Sequence, residues 1–234
     1  MRQIFLDTET TGLSAEAGDR IIEIGCIEMV QRRLTGQNKH LYLNPERSSH
    51  PDALRVHGIT DEFLADKPKF AEVAEDLLAY LKGAEIVIHN AAFDVGFIDA
   101  ELKRLGHGRL ADHVAGIQDT LLMAREMFPG KSNSLDALCK RLEVDNSSRT
   151  LHGALLDAGL LAEVYVRLTR GQDSLAMDAG SDAPGHVAVV QIDLRRFELP
   201  VLQATEAEAA AHQALLADLD KACGGRAIWR PNVA

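Results

Sequence analysis

Three strand-like runs precede the first helical pattern, and that order limits the chain to a sheet that begins with neighbouring strands. Residues 3–6 are short and apolar, 20–30 (RIIEIGCIEMV) are rich in Ile, Val and Met with partial alternation, and 39–43 (KHLYL) alternate. Helical spacing follows at 70–82, 92–105, 120–128, 134–142 and 154–168, with strand-like runs at 85–89 and 116–118 between them. Asp119 is placed to cap the helix that begins at Thr120. Strands first, then strand–helix alternation, predicts an α/β fold: a mixed sheet flanked by helices.

That pattern stops near residue 170. From 171 to 185 the chain reads GQDSLAMDAGSDAPG, which is linker composition. Beyond it lie a strand-like run at 187–192 and an Ala-rich helical stretch at 206–222. The expected organisation is a folded domain over 1–170, a linker over 171–186 and a tail over 187–234, the last two making a flexible C-terminal extension. The single tryptophan, Trp229, sits in that tail, where a large apolar side chain needs a partner to bury it.

The net charge is −10, so a chain of this kind meets nucleic acid only with metal ions or partners to offset phosphate charge. Cys26, Cys139 and Cys223 are far apart and form no C-x-x-C pair, which excludes a disulfide framework and a cysteine-rich zinc site. Asp7 and Glu9 leave no room for a signal-peptide core, and no apolar run approaches the roughly 18–20 residues of a membrane span. A soluble cytoplasmic protein with no membrane contact is expected.

The chemistry sits in the acids. Asp7 and Glu9 end the first strand two residues apart, so both project to one face. Like charges held that close repel, and a hard divalent cation relieves the repulsion. Gly12 lets the backbone approach something bulky. The second D-x-E, Asp99 and Glu101, lies in a helical stretch where the two residues diverge by about 200°; it is expected to be a solvated face. Asp94 follows the run at 85–89 and reaches the same sheet edge if the first and fifth strands are neighbours. His152 and Asp157 are five apart, about 140° on one helix, so His152 must precede the helix that holds Asp157, with Gly153 permitting the bend. Histidine titrates near 6.5 and suits a base beside a metal site. His107, between glycines, is expected to be exposed.

Three segments taken together are more specific than any one. Residues 5–12 (FLDTETTG), 89–94 (HNAAFD) and 152–157 (HGALLD) occur in the order and form of the three exonuclease motifs of the DEDDh 3′→5′ exonucleases, and the chain resembles that family over about 1–170. Residues 56–60 (VHGIT) also resemble a family turn. Within the family the resemblance is strongest to the proofreading subunits of bacterial replicative DNA polymerases. It implies an RNase H-like fold and two divalent ions, Mg²⁺ or Mn²⁺. Asp7, Glu9 and Asp157 would hold one ion, Asp7 would bridge to the second, and Asp94 would support the pair. His152 would take the proton of the attacking water. Thr10, Thr11, Gly12, Leu13, His57 and Phe93 would line the pocket for a single-stranded or frayed 3′ end of DNA.

The tail carries two further resemblances. Residues 172–177 (QDSLAM) are similar to sliding-clamp-binding peptides, with Gln172, Ser174, Leu175 and Met177 as the contacts. Residues 187–234 would bind the polymerase catalytic subunit, and a small accessory subunit is a further possible partner. An RNA-trimming exonuclease of the same superfamily shares every acid, and a replisome tether with little catalysis also retains them; both alternatives stay open at this point.

Overall fold

A computed structural model describes residues 1–147, 149, 151–169 and 204–224. The chain divides into two units, 1–177 and 178–234. In the first, β1 (Arg2–Thr10), β2 (Ile21–Val30), β3 (Arg33–Leu34) and β4 (Lys39–Tyr42) come before the helices. Two short helices follow, α1 (Pro51–His57) and α2 (Asp61–Leu64), then α3 (Phe70–Leu81), β5 (Glu85–Ile88) and α4 (Ala91–Arg104). A 3₁₀ turn at Leu110–Asp112 leads to β6 (Gly116–Asp119), α5 (Thr120–Met127), α6 (Leu135–Arg141) and α7 (Ala154–Leu168).

The strands form one mixed sheet in the order β3-β2-β1-β5-β6, with β4 also on β2. β1 pairs antiparallel with β2 and parallel with β5, so the expected neighbourhood of the first and fifth strands is present. Period-two alternation along the central strands supplies two cores. Ile4, Leu6, Ile86 and Ile88 face α3 and α4, while Phe5 and Val87 face α6 and α7. Both faces are therefore covered, which explains why β2 reads as a nearly continuous apolar run.

β1 extends beyond the 3–6 expected from its apolar residues, because β2 pairs with it as far as Thr10. Asp7 and Glu9 thus lie in the paired C-terminal part of β1. The turn expected at 56–60 runs from the end of one short helix to the cap of the next: Pro51 opens α1, Gly58 closes it in the left-handed conformation, φ 71°, and Thr60 caps α2. The second D-x-E is not a solvated face. Glu101 is buried in a two-point pair with Arg20 (2.6 and 2.8 Å), and Asp99 accepts from the backbone N–H of Leu110. His107 is half-buried against Glu75 rather than exposed.

α7 lies across β1 and β2 with Ala154, Ala158 and Ala162 buried four residues apart on one stripe. Small side chains let the helix come close to the sheet, and Gly25 completes the approach. A Cβ on Gly25 would stand 2.2 Å from the carbonyl carbon of Ala154 and the nitrogen of Leu155. Gly153 is not needed for its conformation: its φ of −152° is extended backbone, and open space surrounds its missing Cβ.

In the second unit, α8 (Glu206–Ala222) is capped by Thr205 and Glu208 and buries none of its residues. The expected strand at 187–192, the peptide at 172–177 and Trp229 lie outside the described residues. Among those described, no helix is long and apolar enough to cross a membrane.

Gly25→Ala is expected to cost about 1–3 kcal/mol of stability in urea unfolding, whereas Gly153→Ala costs less than about 1 kcal/mol. Equal costs would contradict the close helix–sheet approach.

Candidate active site

Asp7 and Glu9 stand on the β1 face that α7 covers, opposite Gly25 and Glu23 of β2. The N-terminus of α7 brings Asp157 over them. α4 contributes Asp94 from the sheet's other side, and its Oδ1 accepts from both the backbone N–H of Thr8 (3.0 Å) and the Thr8 hydroxyl (2.7 Å). One strand therefore carries two of the acids, at residues 7 and 9, and binds a third through Thr8.

Each of these two helices is seated by another carboxylate. Glu23 accepts from the backbone N–H of Ala154 at the start of α7 (3.1 Å) and pairs with His40 Nε2 (2.6 Å). Asp119 accepts from Asn90 N–H (3.2 Å) and Ala91 N–H (3.1 Å) at the start of α4, and from Leu121 N–H (2.8 Å) in its own helix. Sequence alone reveals the second of these roles as a cap of α5; the first needs the fold. Free helix N–H groups favour such carboxylates.

The acids crowd one another. Burial pushes the carboxyl of Asp7 well above its usual range, and the neighbouring charges of Asp94, Asp157 and Glu9 push it the same way. Glu9 rises to about 8, mainly by burial, then through Glu23, Asp157 and Asp94. Asp94 rises to about 7 by burial, opposed by its bonds from Thr8. One ligand atom each from Glu9, His152 and Asp157 lie within 4.8 Å of one another. Oxygen donors in excess, one imidazole and strong mutual repulsion fit a hard divalent cation better than a thiolate-loving one.

These side chains line a cleft of about 910 Å³ that also takes in Thr10, Gly12, Leu13, His57 and Phe93. Leu13 is 87% exposed, and Phe93 packs at a tilt against Phe97 while lining the cleft. His57 is buried; its Nδ1 accepts from Ile59 N–H (2.9 Å), which leaves the proton on Nε2, and Nε2 has no partner among the described residues. Thr10 spends its hydroxyl on the Gly12 carbonyl (2.6 Å). Thr11 does not belong with the pocket residues: it is fully buried, donating to Asp19 (3.1 Å) and accepting from Arg20 N–H (3.0 Å). A Cβ on Gly12 would meet Asp19 and His50, so that glycine serves the loop's own packing.

Sequence reasoning misses the cleft's cations. Arg125, Lys131 and Arg149 line it, and Arg149 sits directly on Asp157, with Nε to Oδ1 and Nη2 to Oδ2 both at 2.6 Å. No local spacing signals that contact, because these three cations differ from the chain's other Lys and Arg residues only through the fold.

The exonuclease family pattern matches residues 4–165. DNA polymerase III subunit epsilon of Escherichia coli (strain K12) is 52% identical over 237 residues, spanning 98% of this chain and 97% of that protein. The chain belongs to the exonuclease family. Among solved structures, Exonuclease X in complex with 5′ overhanging duplex DNA is similar at 25% identity and a TM-score of 0.57, covering 73% of this exonuclease and 93% of that chain. The nuclease domain of 3′hExo, a DEDDh family member bound to rAMP, shares the fold at 16% identity and a TM-score of 0.61, covering 71% and 90%.

The raised carboxyls give a pH prediction. The unfolded chain releases the Glu9 and Asp94 protons near 4.5 and 3.8, the folded one near 8 and 7. The folded form holds more protons between those values, so stability falls as pH rises through them. With a chelator present, the melting temperature is expected to drop between pH 5 and 8, less so in Glu9→Gln, and Mn²⁺ is expected to remove the drop. A wild-type melting temperature that is flat or rising with chelator would contradict the crowding.

Proposed function

We infer that this chain is a proofreading 3′→5′ exodeoxyribonuclease subunit of a bacterial replicative DNA polymerase, removing mispaired 3′-terminal nucleotides as 5′-monophosphates. The observation that carries the reading is the convergence of Asp7, Glu9, Asp94 and Asp157 beside His152, on a chain alike over nearly its whole length to a polymerase epsilon subunit. We assign the metal-holding role to the four acids and favour Mg²⁺ or Mn²⁺. When bound there, a pair of divalent ions supplies positive charge to the attacking and leaving oxygens of phosphodiester hydrolysis.

The protein's own groups do the rest. His152 takes the proton of the attacking water. The unspent Nε2–H of His57, the ring of Phe93 and the exposed Leu13 hold the sugar and base of the terminal nucleotide. Arg125 and Lys131 offset the phosphate charge at the cleft, which an acidic chain otherwise repels. A mispaired end unstacks more cheaply than a paired one, so selectivity arises without base reading.

We propose the boundaries 1–170 for the nuclease domain, 171–186 for a linker with a clamp-binding peptide at 172–177, and 187–234 for a polymerase-binding tail. Tethering of this kind raises the effective concentration of the nuclease at the primer end.

On a mispaired DNA primer with Mg²⁺, Asp7→Ala is expected to reduce 5′-mononucleotide release to background, and His152→Ala to reduce it by about 10²–10⁴-fold. Undiminished release by Asp7→Ala would overturn the site assignment; faster release from a matched RNA oligomer would favour the RNA-trimming reading.

A further inference from the structure

Arg149 makes a three-sided contact that the hydrolytic reading does not use. Its guanidinium grips both oxygens of Asp157 at 2.6 Å, reaches Asp136 Oδ2 with Nη1 at 2.8 Å, and places Nη2 2.8 Å from Nδ1 of His152. The side chain is only 7% exposed although it ends in the cleft. A planar fork on a carboxylate of this burial is the strong form of such a pair.

Two consequences follow from elementary chemistry. Each Asp157 oxygen already accepts from the guanidinium, and a divalent ion drawn to the same carboxylate would set two positive charges against each other, which favours loosening of the fork. Arginine only donates, so Nδ1 of His152 must accept and the ring's proton must sit on Nε2. With Nδ1 capped by Arg149 and Nε2 already protonated, neither nitrogen is free to take a proton from water. Asp157 Oδ2 stands 3.4 Å from the same Nδ1 and is the natural acceptor for an Nδ1–H once the guanidinium leaves, which frees Nε2 as a base.

We propose that Arg149 is a positioning residue that acts as a built-in counter-cation. It holds Asp157 and His152 in register while no divalent ion is bound, keeps the base out of use, and is displaced from Asp157 when the ion enters. Metal loading and base activation are thereby one event. The proposal rests on the metal-holding role assigned above to the acids, and it makes Arg149 and the ion direct competitors for one carboxylate.

The test is Mn²⁺ titration by calorimetry on the full chain, with melting temperatures in chelator and in Mn²⁺. Arg149→Gln is expected to bind Mn²⁺ at least about fivefold more tightly, to melt lower in chelator, and to gain more from Mn²⁺ than wild type does. Arg149→Lys keeps the charge but loses the fork. It is expected to bind Mn²⁺ more tightly than wild type by a smaller factor, and it carries the test if the Gln variant does not fold. Wild-type Mn²⁺ affinity in the Lys variant, with or without tighter binding by Gln, would overturn direct displacement and leave only a field effect of charge. Failure of wild type itself to bind Mn²⁺ would overturn the metal assignment and the proposal with it.

Discussion

Four carboxylates forced together at the centre of a sheet set the terms for the rest of this molecule. A pair of like charges about 4 Å apart repels by roughly 4 kcal/mol at an effective dielectric near 20. Packing must hold the group together against that force, and the raised carboxyls of Asp7, Glu9 and Asp94 record the strain. Two well-buried cores, one on each face of the sheet, supply the rigidity.

Rigidity alone does not aim the side chains. Aim comes from β1, which carries Asp7 and Glu9 on one face and binds Asp94 through Thr8, and from the seating of two helix N-termini by Asp119 and Glu23. The Ala stripe of α7 and the bare Cα of Gly25 bring the last acid down onto the sheet. The same device recurs on both faces: a strand carboxylate takes up the free N–H groups of a helix, and that helix delivers a functional carboxylate within its first turn. A charge pattern costly in isolation is thereby held in place by the fold.

Much of this was legible in the residues. Period-two and helical spacing located the main strands and helices because their buried faces are mostly apolar, and the three short motifs hold the acids and the imidazole that the fold brings into one cleft. What was not legible depends on long-range pairing. The length of β1 is set by β2, not by its own hydropathy. Glu101 looks solvated until Arg20, far away in sequence, buries it. Thr11 looks like its neighbour Thr10 until the loop folds it inward onto Asp19. Arg149 is one cation among 25 until the start of α7 brings Asp157 against it.

The most direct test of the central claim is the anomalous scattering of Mn²⁺ in crystals of the protein grown with a 5′-mononucleotide. Two peaks about 3.5–4 Å apart, bounded by Asp7, Glu9, Asp94 and Asp157 with His152 alongside, are the expected result. Manganese bound elsewhere, with these four carboxylates left facing one another, would contradict it.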